Sequence, residues 1–321
     1  MSGRDEDGLS EIIGFVLILG LIVVASTMYL LYVVPAEGRE DEIVHMNQVK
    51  DLFVDYKGTL DSLWMNSISN LTDHRLAGTM ISTSFDLGTA GGNTQAGGVF
   101  LSFMKPQGSP ALMSAGKTDL DGTLRILAST NNTTSQKELA TIPMGSLSYQ
   151  SQNVYWIQQT YYYQMGGIFL NQSDGGSIVA APAVAVYPIV ENGTGTNYTI
   201  PKVSIAGLNI SGRGSIGGTG PLRVDTRLTE NIGDTITNGP YTNVTVRAEM
   251  NTPAGARLWD RVFRNAGKQV NTTWVHFTSP LSNNTAIMTV SSSLNPPDPN
   301  FHVYLDLTQA EYRVTLQNVG Q

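Results

Sequence analysis

Ten Asn-x-Ser/Thr triplets are the densest chemical signal in the chain: Asn70, Asn131, Asn132, Asn171, Asn192, Asn197, Asn209, Asn243, Asn271 and Asn283. Such a triplet is the acceptor for an N-linked glycan, whose bulk requires an exposed site on an exported segment. Random placement of 22 Asn and 58 Ser and Thr over 321 residues gives about four triplets. Some of the excess has a plainer origin, since Asn forms turns beside strand-forming Thr. The set as a whole reads as N-glycosylation candidates, with Asn131 and Asn132 overlapping so that only one is used at a time.

Other chemistry is sparse. Gly212-Arg-Gly214-Ser-Ile-Gly217 matches a dinucleotide-loop string, but a strand rather than a helix is expected after it, so it reads as a mobile glycine loop. Asp119-Leu-Asp121-Gly122 lacks the Glu that completes a calcium loop and reads as a hairpin turn. His45, His74, His276 and His302 have no ligand spacing and read as surface or strand residues. With no cysteine there is no disulfide framework, thiolate zinc site or thiol nucleophile. No G-x-S-x-G elbow is present. The expectation is a protein that is not an enzyme and uses no cofactor or metal.

Charged residues make up only 14% of the chain, against about 25% in ordinary soluble domains. The net charge of −7 argues against a nucleic-acid partner, which needs a concentrated basic field. Ser, Thr, Asn and Gly fill the gap, a composition that favours short strands and turns. Part of the deficit is a single segment, Ile12 to Val34, with no charge at all. About 20 apolar residues cross a bilayer as a helix, and Tyr29 and Tyr32 lie near the distal end, where amphipathic rings prefer the interface. All ten triplets follow this segment.

The residues before it are unusual for a cleaved secretory signal: Met1-Ser-Gly-Arg-Asp-Glu-Asp-Gly8, then Leu9-Ser10-Glu11, then the apolar run. This wording, with Gly-Leu-Ser-Glu-Ile-Ile-Gly-Phe-Val-Leu-Ile-Leu-Gly, resembles the class III signal of type IV pilins and archaellins, particularly the archaeal pilin N-terminus. The resemblance implies a leader over 1–8, cut by a prepilin peptidase between Gly8 and Leu9. The helix then stays in the mature protein as the filament core, and Glu11 pairs with the new N-terminal ammonium of a neighbouring copy. Read on its own, Glu11 is equally an acid that favours the helix N-terminus, and Ser10 a simple cap. A second stretch, Tyr155-Trp156-Ile157 followed by Tyr161 to Phe169, Asp174-Gly175-Gly176 and Ser177 to Pro182, is similar to a segment of archaeal surface proteins carrying the same N-terminus. From the residues alone, Tyr161–Tyr163 offer a stacking platform or sugar-binding face, but the favoured reading is aromatic residues alternating across a strand with half of them in the core.

Pro35 and Gly38 predict a bend or break after the apolar helix. Beyond them Met46, Val49, Phe53, Tyr56, Leu60 and Leu63 recur at helical spacing. This amphipathic stalk helix packs one face on the domain that follows or on a neighbouring copy, with Trp64 anchoring its end. From about Leu76, short alternating runs take over, at Gly97–Met104, Thr123–Leu127, Val154–Gln158, Ile178–Val186, Tyr198–Ala206, Leu222–Leu228 and Val244–Met250. Further runs follow at Trp274–Thr278, Ala286–Val290, Phe301–Leu307 and Tyr312–Leu316, with glycine-rich turns throughout.

The expected fold class is α+β: a long N-terminal hydrophobic helix (9–35), a stalk helix (36–70), and a predominantly antiparallel β-sandwich or jelly-roll region (71–321) forming one domain or two. The expected role is a structural subunit of an archaeal type IV pilus-like filament, membrane-inserted before assembly and displayed at the cell surface, with adhesion as a use for its glycosylated head. Its partners are then copies of itself in a helical polymer, the membrane, the prepilin peptidase, and surface glycans or other cells. The alternatives are a single-pass anchored surface binding protein that never polymerises and, more remotely, an ectoenzyme.

Overall fold

The computed structural model describes residues 4–69, 77–89, 105–116, 118–130, 136–192, 197–229, 236–270, 273–278, 284–291 and 302–318. At 4–10, 67–69, 191–192, 197–198, 236–238, 269 and 278 only the backbone is described. The expected strand at 97–104 lies outside these residues.

The chain opens with helix α1 (Arg4–Met28), passes through a π-helical segment (Tyr29–Val33) and continues as α2 (Val34–Ser69). Pro35 has no N–H to donate, and in an uninterrupted α-helix its ring would meet the Leu31 carbonyl. A widened turn, in which the Val34 N–H reaches back to the Tyr29 carbonyl, lets the helix proceed instead of stopping. The helix also runs through Gly38, for a reason that emerges at the junction below.

Strands, numbered in chain order, form three sheets. The first runs β1 (Met80–Asp86), β12 (Pro221–Leu228), β17 (Val303–Asn318), β10 (Asn197–Gly212), β9 (Val184–Asn192), with β13 (Ile236–Tyr241) also on β17. The second runs β11 (Ser215–Gly218), β2 (Ala111–Ala115), β5 (Ser146–Ser151), β6 (Gln159–Gln164), β7 (Gly167–Gln172), β8 (Gly175–Ala180). The third runs β15 (Val275–Thr278), β16 (Thr285–Ser291), β14 (Asn243–Met250), β3 (Gly122–Ser129), β4 (Lys137–Met144). Among the described residues every pairing is antiparallel except β10 with β17, which runs parallel from Lys202↔Tyr304 to Gly212↔Val314. The class is α+β, a long N-terminal helix followed by a largely antiparallel multi-sheet region.

Two hydrophobic cores share one wall. In the first core the third sheet (Leu124, Ile126, Val246, Met288) faces Val203, Ile205, Leu305 and Leu307. In the second the α2 stripe fills the space between the first and second sheets, against Phe85, Met113, Leu147, Leu208 and Tyr312. The 16-residue strands β10 and β17 serve the first core with their N-terminal halves and the second with their C-terminal halves. That is why the runs expected at 301–307 and 312–316 meet, over the described residues, in the one strand Val303–Asn318, whose polar middle crosses between the cores; Phe301 itself lies outside the described residues.

Three further expectations change. Residues 154–158 are not a strand but part of an irregular loop between β5 and β6. A helix stands where none was expected: α3 (Pro253–Ala266), with Pro253 in its first turn and the Thr252 hydroxyl accepting the Gly255 N–H at 3.2 Å. It buries Leu258, Trp259, Val262 and Phe263 in the first core. Tyr161, Tyr162 and Tyr163 are all buried, because at this point of β6 the second core covers one face of the sheet and the first core the other. Tyr161 stacks on Phe53 and Tyr163 meets Tyr56 edge-on, while Tyr162 stacks on Phe169 beneath Trp259.

Candidate functional site

The helix has two surfaces of opposite character along one axis. From Ile12 to Val33 its apolar side chains are exposed: Leu17 at 69%, Leu21 at 71% and Tyr32 at 75%, on all sides of the helix. Nothing in the most apolar 18-residue window is buried, and a Cβ added at Gly14 or Gly20 would meet nothing within 4 Å. At 1.5 Å per residue the uncharged run spans about 35 Å, enough for a hydrocarbon layer of about 30 Å. A helix of this length that is apolar all round and unburied is compatible with membrane insertion.

From Glu42 onward the same helix is locked into the head. Met46, Val49, Phe53, Tyr56, Leu60 and Leu63 are all buried, so the stripe packs on its own β-domain. Complete burial of such a side chain stabilises by about 2 kcal/mol. Polar contacts fix the register along the way. Tyr56 Oη pairs with Thr226 Oγ1 at 2.8 Å, and Tyr312 Oη donates to the Leu60 carbonyl at 2.8 Å. Burial pushes both phenols above their ordinary range, which keeps them neutral hydrogen-bonding groups. Trp64, at the far end, packs partly buried against the second core.

The junction between the exposed and locked stretches is a compact cluster. Glu42, one turn before the stripe and 1% exposed, accepts the backbone N–H groups of Val154 (2.7 Å) and Tyr155 (3.0 Å) and the Ser109 hydroxyl. Arg39 lies over the Trp156 ring, 4.1 Å from its centroid. Gly38 faces Tyr155 so closely that a Cβ would come within 2.4 Å of a ring carbon. The glycine therefore marks a close approach and not a helix end. His45 Nε2 pairs with Tyr149 Oη at 2.8 Å, and that hydroxyl also accepts the Gly88 N–H. Burial pulls the His45 pKa down against the opposing pull of Asp86. Burial likewise pushes the Tyr149 phenol up to about 12. The loop at 153–156 thus serves as a clamp on the helix. Its aromatic pair Tyr155-Trp156 is visible in the sequence, but its partners lie more than a hundred residues away.

The residues singled out in the sequence fall as follows. Gly8 and Leu9 lie in the backbone of α1, and Glu11 is exposed near its start. Asn70, Asn131, Asn132, Asn271 and Asn283 lie outside the described residues. Asn192 and Asn197 pair across the β9–β10 hairpin. Asn171 on β7, Asn209 on β10 and Asn243 on β14 are half-buried. Asn209 Oδ1 accepts the Gly145 N–H at 3.1 Å, and Asn243 Oδ1 accepts from Gln136 at 3.1 Å. The Asp121 carboxylate accepts from Thr118 and Ser146 at 2.6–3.0 Å, a self-satisfied turn. No cluster of three His, Asp or Glu able to hold a metal occurs among the described residues. The glycine string 212–217 is a packed corner between β10 and β11: a Cβ at Gly212 would meet the Val314 carbonyl at 2.8 Å, and Gly214 has φ +119°. Compared with family models, curated proteins and solved structures, the chain finds no match.

Proposed function

We propose that this chain is a structural subunit of an archaeal type IV pilus-like surface filament. Prepilin peptidase removes residues 1–8, the helix from Leu9 onward packs with copies of itself, and Glu11 meets the freed ammonium of a neighbour at the rim of the apolar core. The β-rich head faces outward and carries N-linked glycans, which supply the solvation that its few charges do not. Adhesion is the use this display suits.

One observation carries the reading: a helix whose first half is apolar on every side and free of contacts continues, without a joint, into a second half fixed in the head. Lateral packing of the first halves then sets the position of every head, as a filament requires. The same free helix, long enough for a bilayer, also supports the second reading, a single-pass anchored surface protein.

N-terminal mass analysis of surface-sheared material, with negative-stain microscopy of the same fraction, tests both. The filament reading expects Leu9 at the N-terminus and fibres whose yield falls when Glu11 is replaced by Ala. Leu9 without fibres leaves the anchored reading, and retention of Arg4 overturns the pilin-type processing.

A further inference from the structure

The outer face of the second sheet holds a cavity of about 690 Å3, within the range of small-molecule sites. Two rows of side chains form its floor. Asn171, Thr160 and Gln150 are cross-strand neighbours on β7, β6 and β5. Two residues along, Ser148, Ser114 and Ser215 are neighbours on β5, β2 and β11. Paired residues share a face and alternate residues return to it, so all six point the same way. Farther across this face come Tyr162 and Phe169, buried beneath Trp259 of α3. The face therefore passes from a covered apolar part to an open part made only of hydroxyls and amides.

Hydrogen bonds do not explain that open part. Among the described residues the side chains of Ser114, Ser148, Gln150, Thr160 and Asn171 form none, although Ser148 is only 6% exposed. The corner of β10 and β11 adds a cation at the rim. Gly116 and Gly212 sit so close that a Cβ on Gly116 would lie 2.4 Å from the Gly212 carbonyl, and the Ala115 N–H donates to Gly214 at 3.0 Å. This contact holds Arg213 beside the serine row, and Thr118, Asp119 and Leu120 line the cavity as well.

The geometry points to a saccharide-binding site on this face. Sugar hydroxyls donate and accept at once, as do the serine, threonine and amide groups of the floor. Asp119 suits a pair of vicinal hydroxyls, and Arg213 suits a carboxylate of an acidic sugar. Among the described lining residues one cation is balanced by one anion, a poor phosphate site, and none carries an aromatic ring to stack a base. The site concerns the head alone and stands whether or not the helix polymerises.

Two sources supply such a ligand: a glycan from outside, or the chain's own glycan if Asn171 is modified. Ser173, exposed in the turn after β7, separates them, because Ser173→Ala abolishes the acceptor triplet and leaves the Asn171 side chain in place. The full chain, made without glycosylation and held in a detergent lacking a sugar headgroup, is passed over immobilised oligosaccharides of hexose, N-acetylhexosamine and hexuronic acid. Retention that falls at least tenfold in both Gln150→Ala and Arg213→Ala, but not in Ser173→Ala, with melting temperatures unchanged, assigns the site to an outside saccharide. Gln150 and Arg213 are exposed, so these variants do not threaten the fold. Protein from the native host is examined by mass spectrometry and amide exchange. A glycan on Asn171 that slows exchange at 212–215, lost in Ser173→Ala, assigns the site to the chain's own sugar. Absence of both effects overturns the proposal.

Discussion

Glu42 is the residue on which the helix-to-head attachment turns. Its carboxylate is buried, yet three donors from two separate loops converge on it, Ser109 from one and Val154 and Tyr155 from another. A buried N–H deprived of its acceptor costs about 1–3 kcal/mol; without Glu42 the Val154 N–H keeps only the longer contact to the Ser109 hydroxyl at 3.3 Å, and the Tyr155 N–H loses both of its contacts. Glu42→Ala is therefore expected to lower unfolding stability by about 3 kcal/mol, and Glu42→Gln by less, since the amide oxygen still accepts one N–H while its NH2 faces other donors. Denaturant unfolding in detergent, followed by tryptophan emission with Trp156 as the nearby reporter, measures both. A loss within experimental error for the alanine variant refutes the clamp.

At the scale of elements, Gly38 reverses a general rule. In an exposed helix interior, Gly→Ala gains about 1 kcal/mol. At Gly38 the new methyl would lie 2.4–2.9 Å from the Tyr155 ring, whose hydroxyl accepts the Gln107 N–H at 3.0 Å and holds the ring in place. Gly38→Ala is expected to destabilise the native chain, and to stabilise it by about 1 kcal/mol once Tyr155→Ala has emptied the space. A double-mutant cycle on unfolding free energies reads the change of sign; two shifts of equal sign and size would show that the close approach has no energetic weight.

The same elements mark how far the sequence was legible. Met46 to Leu63 disclosed its buried face because helical spacing survives in one dimension, and the glycine turns disclosed the β-rich class. Gly38 and Pro35 misled as punctuation, since a close neighbour and a π turn account for them. Helix α3 hid because Pro253, Gly255 and the charged residues of its outer face interrupt a short apolar stripe. Val154–Gln158 looked like a strand but is bent by Glu42, a partner that local pattern cannot name. The floor of the polar cavity was illegible for the same reason: Asn171, Thr160 and Gln150 become a row only once β5, β6 and β7 are in register.

For the whole molecule, the two halves of the long helix make separable demands. Among the described residues the helix's buried members of the second core begin at Met46, and the junction cluster begins at Gly38. The exposed apolar run contributes nothing to either core, while it is the feature that would drive association or insertion. Removing residues 1–37 should therefore leave folding intact and, on the proposed filament reading, remove the surface through which copies associate. The truncated chain begins one turn before Glu42, so the carboxylate still sits inside the helix with Arg39 and His45 around it. It is expected to melt within a few degrees of the full chain and to run as a monomer in detergent-free buffer, by light scattering and scanning calorimetry. Its head retains a neutral, hydroxyl-rich surface with edge strands, so chain made without glycans is expected to aggregate at lower concentration than glycosylated chain. Collapse of the truncated chain even when glycosylated would mean that the free helix supports the head through contacts the structure does not contain, and the division into an assembling half and a folded half would fail.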